Sequence, residues 1–266
     1  MIVMRENEMP EEGIVVDETA MSSALATPPV PADPRTAADP VLTEDLALAL
    51  LKRADLPAEV IEQLARNSSA LKSRKVRIAL ASHPHTPRHV SVPLARQFYT
   101  FDLMKVALAP GVPADVKVAV DDVLISRLQT VTVGERLTFA RRASGRVAAA
   151  LLLDVENIDA KIADAKAVAR ATRVMQTALE NPRLTEALII NAVFHRAAGD
   201  ALVDAVARHA KWSHRREIRA ALLRSEHLSL ARALEFSRDV AAPLLREILA
   251  SSRLPAAIKD HLLKVV

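Results

Sequence analysis

Residues 76–95 read VRIALASHPHTPRHVSVPLA. The stretch opens on an apolar residue, a basic one, then small residues and Leu80, the spacing of a short amphipathic helix. His83-Pro84 then pushes the chain out of α geometry, because the residue before proline clashes with the ring in that region. Thr86 and Pro87 suit a new helix start: a hydroxyl caps orphan amides, and proline at the first helical position lacks only a donor that no carbonyl awaits. Val90 and Leu94 continue an apolar stripe. The stretch predicts a helix, a tight break and a second helix.

The same phrase recurs. Met104-Lys105-Val106-Ala107-Leu108 is followed by Pro113 and Val116, and Met175-Gln176-Thr177-Ala178-Leu179 by Asn181-Pro182, Thr185 and Leu188. Ile218-Arg219-Ala220-Ala221-Leu222 precedes Ser229, and Leu245-Arg246-Glu247-Ile248-Leu249 precedes Pro255 and Ile258. A weaker copy runs from Arg136 to Phe139 with Ser144 and Val147, and Ala49-Leu50 with Pro57 and Val60 opens the series. Second helices are expected to start near residues 57, 87, 113, 144, 185, 229 and 255. The widest gaps hold an Ala-rich insertion from Asp154 to Arg173 and an additional short helix, Ala201 to His209, opened by Gly199-Asp200. One helix pair cannot bury its apolar face alone, but stacked pairs share a core. Residues 41–266 therefore read as an all-α, irregular α-solenoid of about six to seven helix-pair units. Leu94, Phe98 and Phe101, spaced i, i+4, i+7, are expected to form one inward stripe.

Composition agrees. Half of the 266 residues are apolar, yet there are only five Phe, one Trp, one Tyr and five Gly, too few aromatics and turn glycines for a sandwich or barrel. The absence of cysteine excludes disulfides, thiolate metal sites and cysteine nucleophiles. No apolar run reaches the roughly 18–20 residues of a membrane span, and the acidic N-terminus lacks the layout of a signal peptide. The expectation is a cytoplasmic protein without membrane contact.

Residues 76–95 resemble the bacterial leucine-rich repeat variant motif and, more loosely, HEAT-like repeat units. The resemblance implies a right-handed superhelix and scaffold behaviour. The variant repeat family is associated with an N-terminal iron–sulfur module, which a cysteine-free chain does not carry.

Charge is uneven. Residues 1–40 hold eight acids against Arg5 and Arg35, a balance of −6, so the remainder carries +10 of the net +4. With six of the fifteen prolines and few large apolar residues, 1–40 reads as a disordered acidic tail that regulates the body by masking a basic face. Residues 63–101 contain no acid, and Lys72, Arg74, Lys75, Arg88 and Arg96 form a candidate patch. Lys211, Trp212, Arg215 and Arg216 form a second, in which the Trp either stacks on a base or anchors a partner, or wedges one unit against the next. Aligning the copies on their terminal Leu places Arg77, Lys105, Arg136, Arg219 and Arg246 at one position, with Gln176 the exception. Stacked along a solenoid they would form a basic ladder. One reading is a stripe that contacts an anionic ligand; the other is a structural device in which each Arg bonds a neighbouring helix end or an acid there, as HEAT-like repeats use it.

Catalytic constellations are missing: the glycines are isolated, and neither a nucleophile elbow nor a His-Glu-x-x-His is present. His83, His85 and His89 are broken up by prolines, Asp121 and Asp122 are adjacent and diverge on a helix, and Ser144 after Arg141-Arg142 reads as an N-cap. The sequence thus predicts a non-enzymatic scaffold without metal or cofactor that binds a protein or peptide partner. A nucleic-acid binder using the basic face is the alternative.

Overall fold

A computed structural model describes residues 33–154 and 164–265. Over these residues the chain is helical and has no strand. α1 (Pro34–Ala38), α2 (Glu44–Leu51), α3 (Ala58–Arg66) and α4 (Ser68–Lys72) lead into α5 (Arg74–Ser82) and α6 (Arg88–Ala95). α7 (Thr100–Leu108), α8 (Ala114–Arg127) with a 3₁₀ turn at Leu128–Thr130, α9 (Val133–Arg142) and α10 (Gly145–Leu152) follow. Then come α11 (Ala165–Leu179), α12 (Glu186–Val193), α13 (Asp200–Arg208) and α14 (Arg216–Arg224). α15 (Leu230–Ser237), α16 (Ala242–Ala250) and α17 (Ala256–Val265) complete the order.

The helices expected near 57, 87, 113, 144, 185, 229 and 255 begin one residue later, at Ala58, Arg88, Ala114, Gly145, Glu186, Leu230 and Ala256. Pro57, Pro87 and Pro113 therefore sit at the N-cap rather than at the first helical position, each with extended ψ near 145° (149°, 146° and 143°). Their carbonyls accept the first helical bonds, from Val60, Val90 and Lys117 among others, while the missing N–H falls outside the helix.

Two series of contacts organise the packing. In the first, α2 packs on α5 and α5 on α7; the Phe101 and Phe139 rings, 5.0 Å apart, link α7 to α9, which packs on α11, and α11 on α13. In the second, α6 packs on α8, α8 on α10, α10 on α12, α12 on α14 and α14 on α16. The additional helix expected behind Gly199 is α13, and it shifts the phase of the repeat. α5 belongs to the first series, whereas α14 and α16, which carry the same sequence phrase, belong to the second.

The core forms two apolar clusters, Ala37 to Leu80 and Ala81 to Leu262, and Leu94 packs on both. The folded body starts before residue 41: Ala37 is fully buried, and Asn67 Nδ2 donates to the carbonyls of Ala37 (2.9 Å) and Asp39 (2.7 Å). Residues 1–32 of the acidic tail and 155–163 of the Ala-rich insertion lie outside the described residues; the insertion's remainder is the start of α11. The stripe expected from Leu94, Phe98 and Phe101 is divided, because α6 ends at Ala95 and α7 begins at Thr100. Phe98 is buried, while Phe101 is 37% exposed and lies against Phe139.

One buried acid has a thermodynamic consequence. Asp121 on α8 is buried; its Oδ2 accepts from the Ser144 hydroxyl (2.8 Å), while Oδ1 has no hydrogen-bond partner. Burial pushes its carboxyl above the ordinary aspartate range, against the lowering effect of Ser144 and Arg146. A raised carboxyl favours the protonated folded state. Its contribution is therefore intact below the unfolded pKa of about 3.9 and is lost as pH rises through the folded value. Asp121→Asn is expected to raise the thermal midpoint at pH 7, with a gain that shrinks on acidification toward that range. Thermal melts of both proteins across pH check this; a gain independent of pH would show that ionisation is not the cause.

Candidate functional site

The helix ends reveal a repeated polar corner. Asn67, His83, Asn181, His195, His209, Ser225 and Ser252 each donate their backbone N–H to the carbonyl three residues earlier: Leu64, Leu80, Ala178, Ala192, Val206, Leu222 and Leu249, at 3.0–3.2 Å. Each also accepts, on its side chain, the backbone N–H two residues later. Asn, His and Ser suit this turn because a short acceptor can reach its own backbone two residues on. With Nδ1 accepting, the Nε2–H of His83 donates to the Arg53 carbonyl (2.8 Å). Asn181 Nδ2 donates to Ala140 and Ala143 (2.7 and 3.2 Å). At Asn67, His83 and Asn181 the corner side chain ties its helix end to backbone 28–41 residues earlier.

Measured from the corners, Arg77, Arg219 and Arg246 share one position, six residues before His83, Ser225 and Ser252. Lys105 and Arg136 do not: they precede the helix ends at Ala109 and Ala143 by four and seven residues. Because α5 and α14–α16 also lie in different contact series, the five cations do not line up as one ladder. Their surroundings differ too. Arg136 Nε donates to Leu128 O (3.0 Å), Nη2 to Gln129 O (3.2 Å) and Nη1 to both oxygens of buried Asp154 (3.0 Å each). Arg219 Nε donates to Ser213 O (2.6 Å), its guanidinium pairs with Asp239, and it lies 5.3 Å from the Phe236 ring centroid. Arg77 is half-buried, with an Nε that lacks a partner, whereas Lys105 and Arg246 are exposed.

Half of the cations in the two basic patches are paired with acids some thirty residues away. Arg74 makes two 2.8 Å bonds to Asp102, which is 1% exposed, and lies 5.1 Å from the Tyr99 ring. Lys75 pairs with Glu44 (2.9 Å), Arg88 with Asp115 (3.2 Å) and Arg215 with Glu186 (3.2 Å). Ser73 and Lys75 together hold the Glu44 carboxyl below the ordinary range. Lys72, Arg96 and Arg216 are exposed and make no ion pair among the described residues. Trp212 is buried, and its indole N–H donates to Leu179 O (2.8 Å), with Lys211 Nζ 4.1 Å above its ring. The ring therefore faces the core and wedges the α13–α14 corner against the end of α11, rather than standing open to a base.

His83 and His85 both bond carbonyls of the α2–α3 corner, Arg53 and Leu56, and His89 stands apart on α6. Among the described residues no three His, Asp or Glu side chains are grouped to hold a metal ion. No helix among them is long and apolar enough to cross a membrane. The packing leaves surface grooves between neighbouring helices. A groove of about 670 Å³ lies between α11 and α13, with Glu180, Asp204, Arg208 and His209 on its walls. Another of about 510 Å³ lies between α14 and α16. A third, about 330 Å³, lies between α3 and α6, lined by Arg66, His89, Val90 and Leu94 among others.

No family model, curated protein or solved structure matches this chain.

Proposed function

We propose that this chain is a non-enzymatic, HEAT-like helical-repeat scaffold, an α-solenoid, that binds a protein or peptide in the grooves between successive helices. The observation that carries this reading is the pattern of contacts. Helices pack on near neighbours in chain order, the same corner turn recurs at successive helix ends, and the α11–α13 and α14–α16 steps leave surface grooves. Such quasi-one-dimensional stacks present extended surfaces suited to peptides. Of the five aligned cations, Arg136 and Arg219 then play a structural part, since their donors hold backbone carbonyls and carboxylates.

The test is affinity capture with the full chain as bait, with and without nuclease, repeated with Ala205→Glu in the α11–α13 groove and Leu244→Glu in the α14–α16 groove. A partner that survives nuclease and is lost with one groove variant supports the scaffold. The alternative, nucleic-acid binding through exposed Lys72, Arg96, Lys105 and Arg246, requires affinity that falls with salt at a log–log slope of about 0.7–0.9 per phosphate neutralised. Binding that vanishes with nuclease and follows that slope would replace the scaffold reading.

A further inference from the structure

The groove between α14 and α16 combines two chemistries. Its floor is apolar, formed by Ala220, Val240, Leu244 and Ile248, and its rim carries His214, Arg216, Arg219 and Arg224 together with the carboxylates of Glu217 and Asp239. Arg219 is committed to Asp239 and Ser213, and Arg224 Nε donates to Ser251 (3.2 Å). The side chains of His214 and Arg216 are exposed and make no ion pair or hydrogen bond among the described residues. The fitting ligand is a short run of aliphatic side chains flanked by carboxylates. The chain contains one: Glu11-Glu12-Gly13-Ile14-Val15-Val16-Asp17-Glu18, three aliphatic residues between two acidic pairs.

We propose that residues 11–18 dock in the α14–α16 groove, Ile14 to Val16 on the apolar floor and the acidic pairs against His214 and Arg216. This rests on the scaffold reading and names the segment that competes with its partner. Fourteen residues lie between Glu18 and Asp33, which gives the segment a reach of up to about 50 Å from the start of α1. The α3–α6 groove is nearer, but its arginine, Arg66, already faces Glu62 (3.5 Å).

A chain without cysteine allows a clean test, since an engineered pair reports only itself. The full chain is prepared as Val15→Cys with Ala241→Cys, an exposed position at the α14–α16 groove, and as Val15→Cys with His89→Cys at the α3–α6 groove. Under mild oxidation the first pair is expected to form an intramolecular disulfide about tenfold faster than the second. Reversing the charges with E11K, E12K, D17K and E18K, or replacing Arg216 by Glu, is expected to remove that advantage. Circular dichroism confirms that each variant is folded. Equal rates for both pairs would overturn the proposal, as would a disulfide-linked dimer as the main product, which would make a second copy the occupant. Either failure leaves partner capture by the scaffold standing, because that is read by the groove variants independently of the tail.

Discussion

Gly145→Ala is expected to destabilise the protein by about 2–3 kcal/mol, a loss of roughly 5–10 °C in thermal midpoint for a chain of this size. On an exposed helix the same change would stabilise by about 1 kcal/mol, since alanine loses less backbone entropy on folding. Here a Cβ would lie 2.2 Å from the carbonyl oxygen of Arg183 and 2.9 Å from Leu188 Cδ1. The carbonyl belongs to backbone and cannot swing away. That carbonyl sits in the α11–α12 corner, which Asn181 bonds to the α9–α10 corner through Ala140 and Ala143, and Arg183 Nη1 bonds there through Arg142 (3.2 Å). Gly134, in the first turn of α9, is the control: its Cβ would meet only Thr132 Oγ1, at 4.0 Å. Gly134→Ala is expected to be neutral or stabilising. Equal effects at the two sites in parallel melts would refute the close approach.

Asp154→Ala is expected to cost about 3–5 kcal/mol, because it strands a guanidinium that is mostly buried. Asp154 is 4% exposed, and the Arg136 side chain 19%. Removing both charges in Arg136→Met with Asp154→Leu is expected to recover much of that loss, less the bonds Arg136 makes to Leu128 and Gln129. Urea titrations at constant m-value read both effects. A double variant as unstable as the single one would mean that the carbonyl bonds, and not the stranded charge, dominate.

Residues 76–95 announce their helices because two prolines and a threonine punctuate them, and wherever that punctuation recurs the helix starts are legible to within one residue. The register between copies is not. An alignment on a terminal Leu treats Leu80, Leu108 and Leu179 as equivalent, yet Leu80 lies three residues before its corner and Leu179 two. The conserved event is the turn itself, and it accepts Asn, His or Ser, three side chains that share an acceptor and little else. A search for that acceptor, three residues after a buried apolar position, would have found His195 and His209 and so the phase change at α13. Partners of the basic residues were hidden for a simpler reason: Asp102, Asp115 and Glu44 lie 27–31 residues from Arg74, Arg88 and Lys75, and only packing brings them together. Trp212 could not be assigned from its cationic neighbours, because the carbonyl that receives its N–H is 33 residues upstream.

The direction of the corner bonds bears on how the chain is made. Asn67, His83, Asn181 and Trp212 all donate to carbonyls earlier in the chain. During synthesis, each of these acceptors is therefore in the chain before its donor is added, and none of these four bonds waits on residues still to be translated. Assembly can proceed from the N-terminal end in steps of one or two helices, each new turn closing on a platform already built.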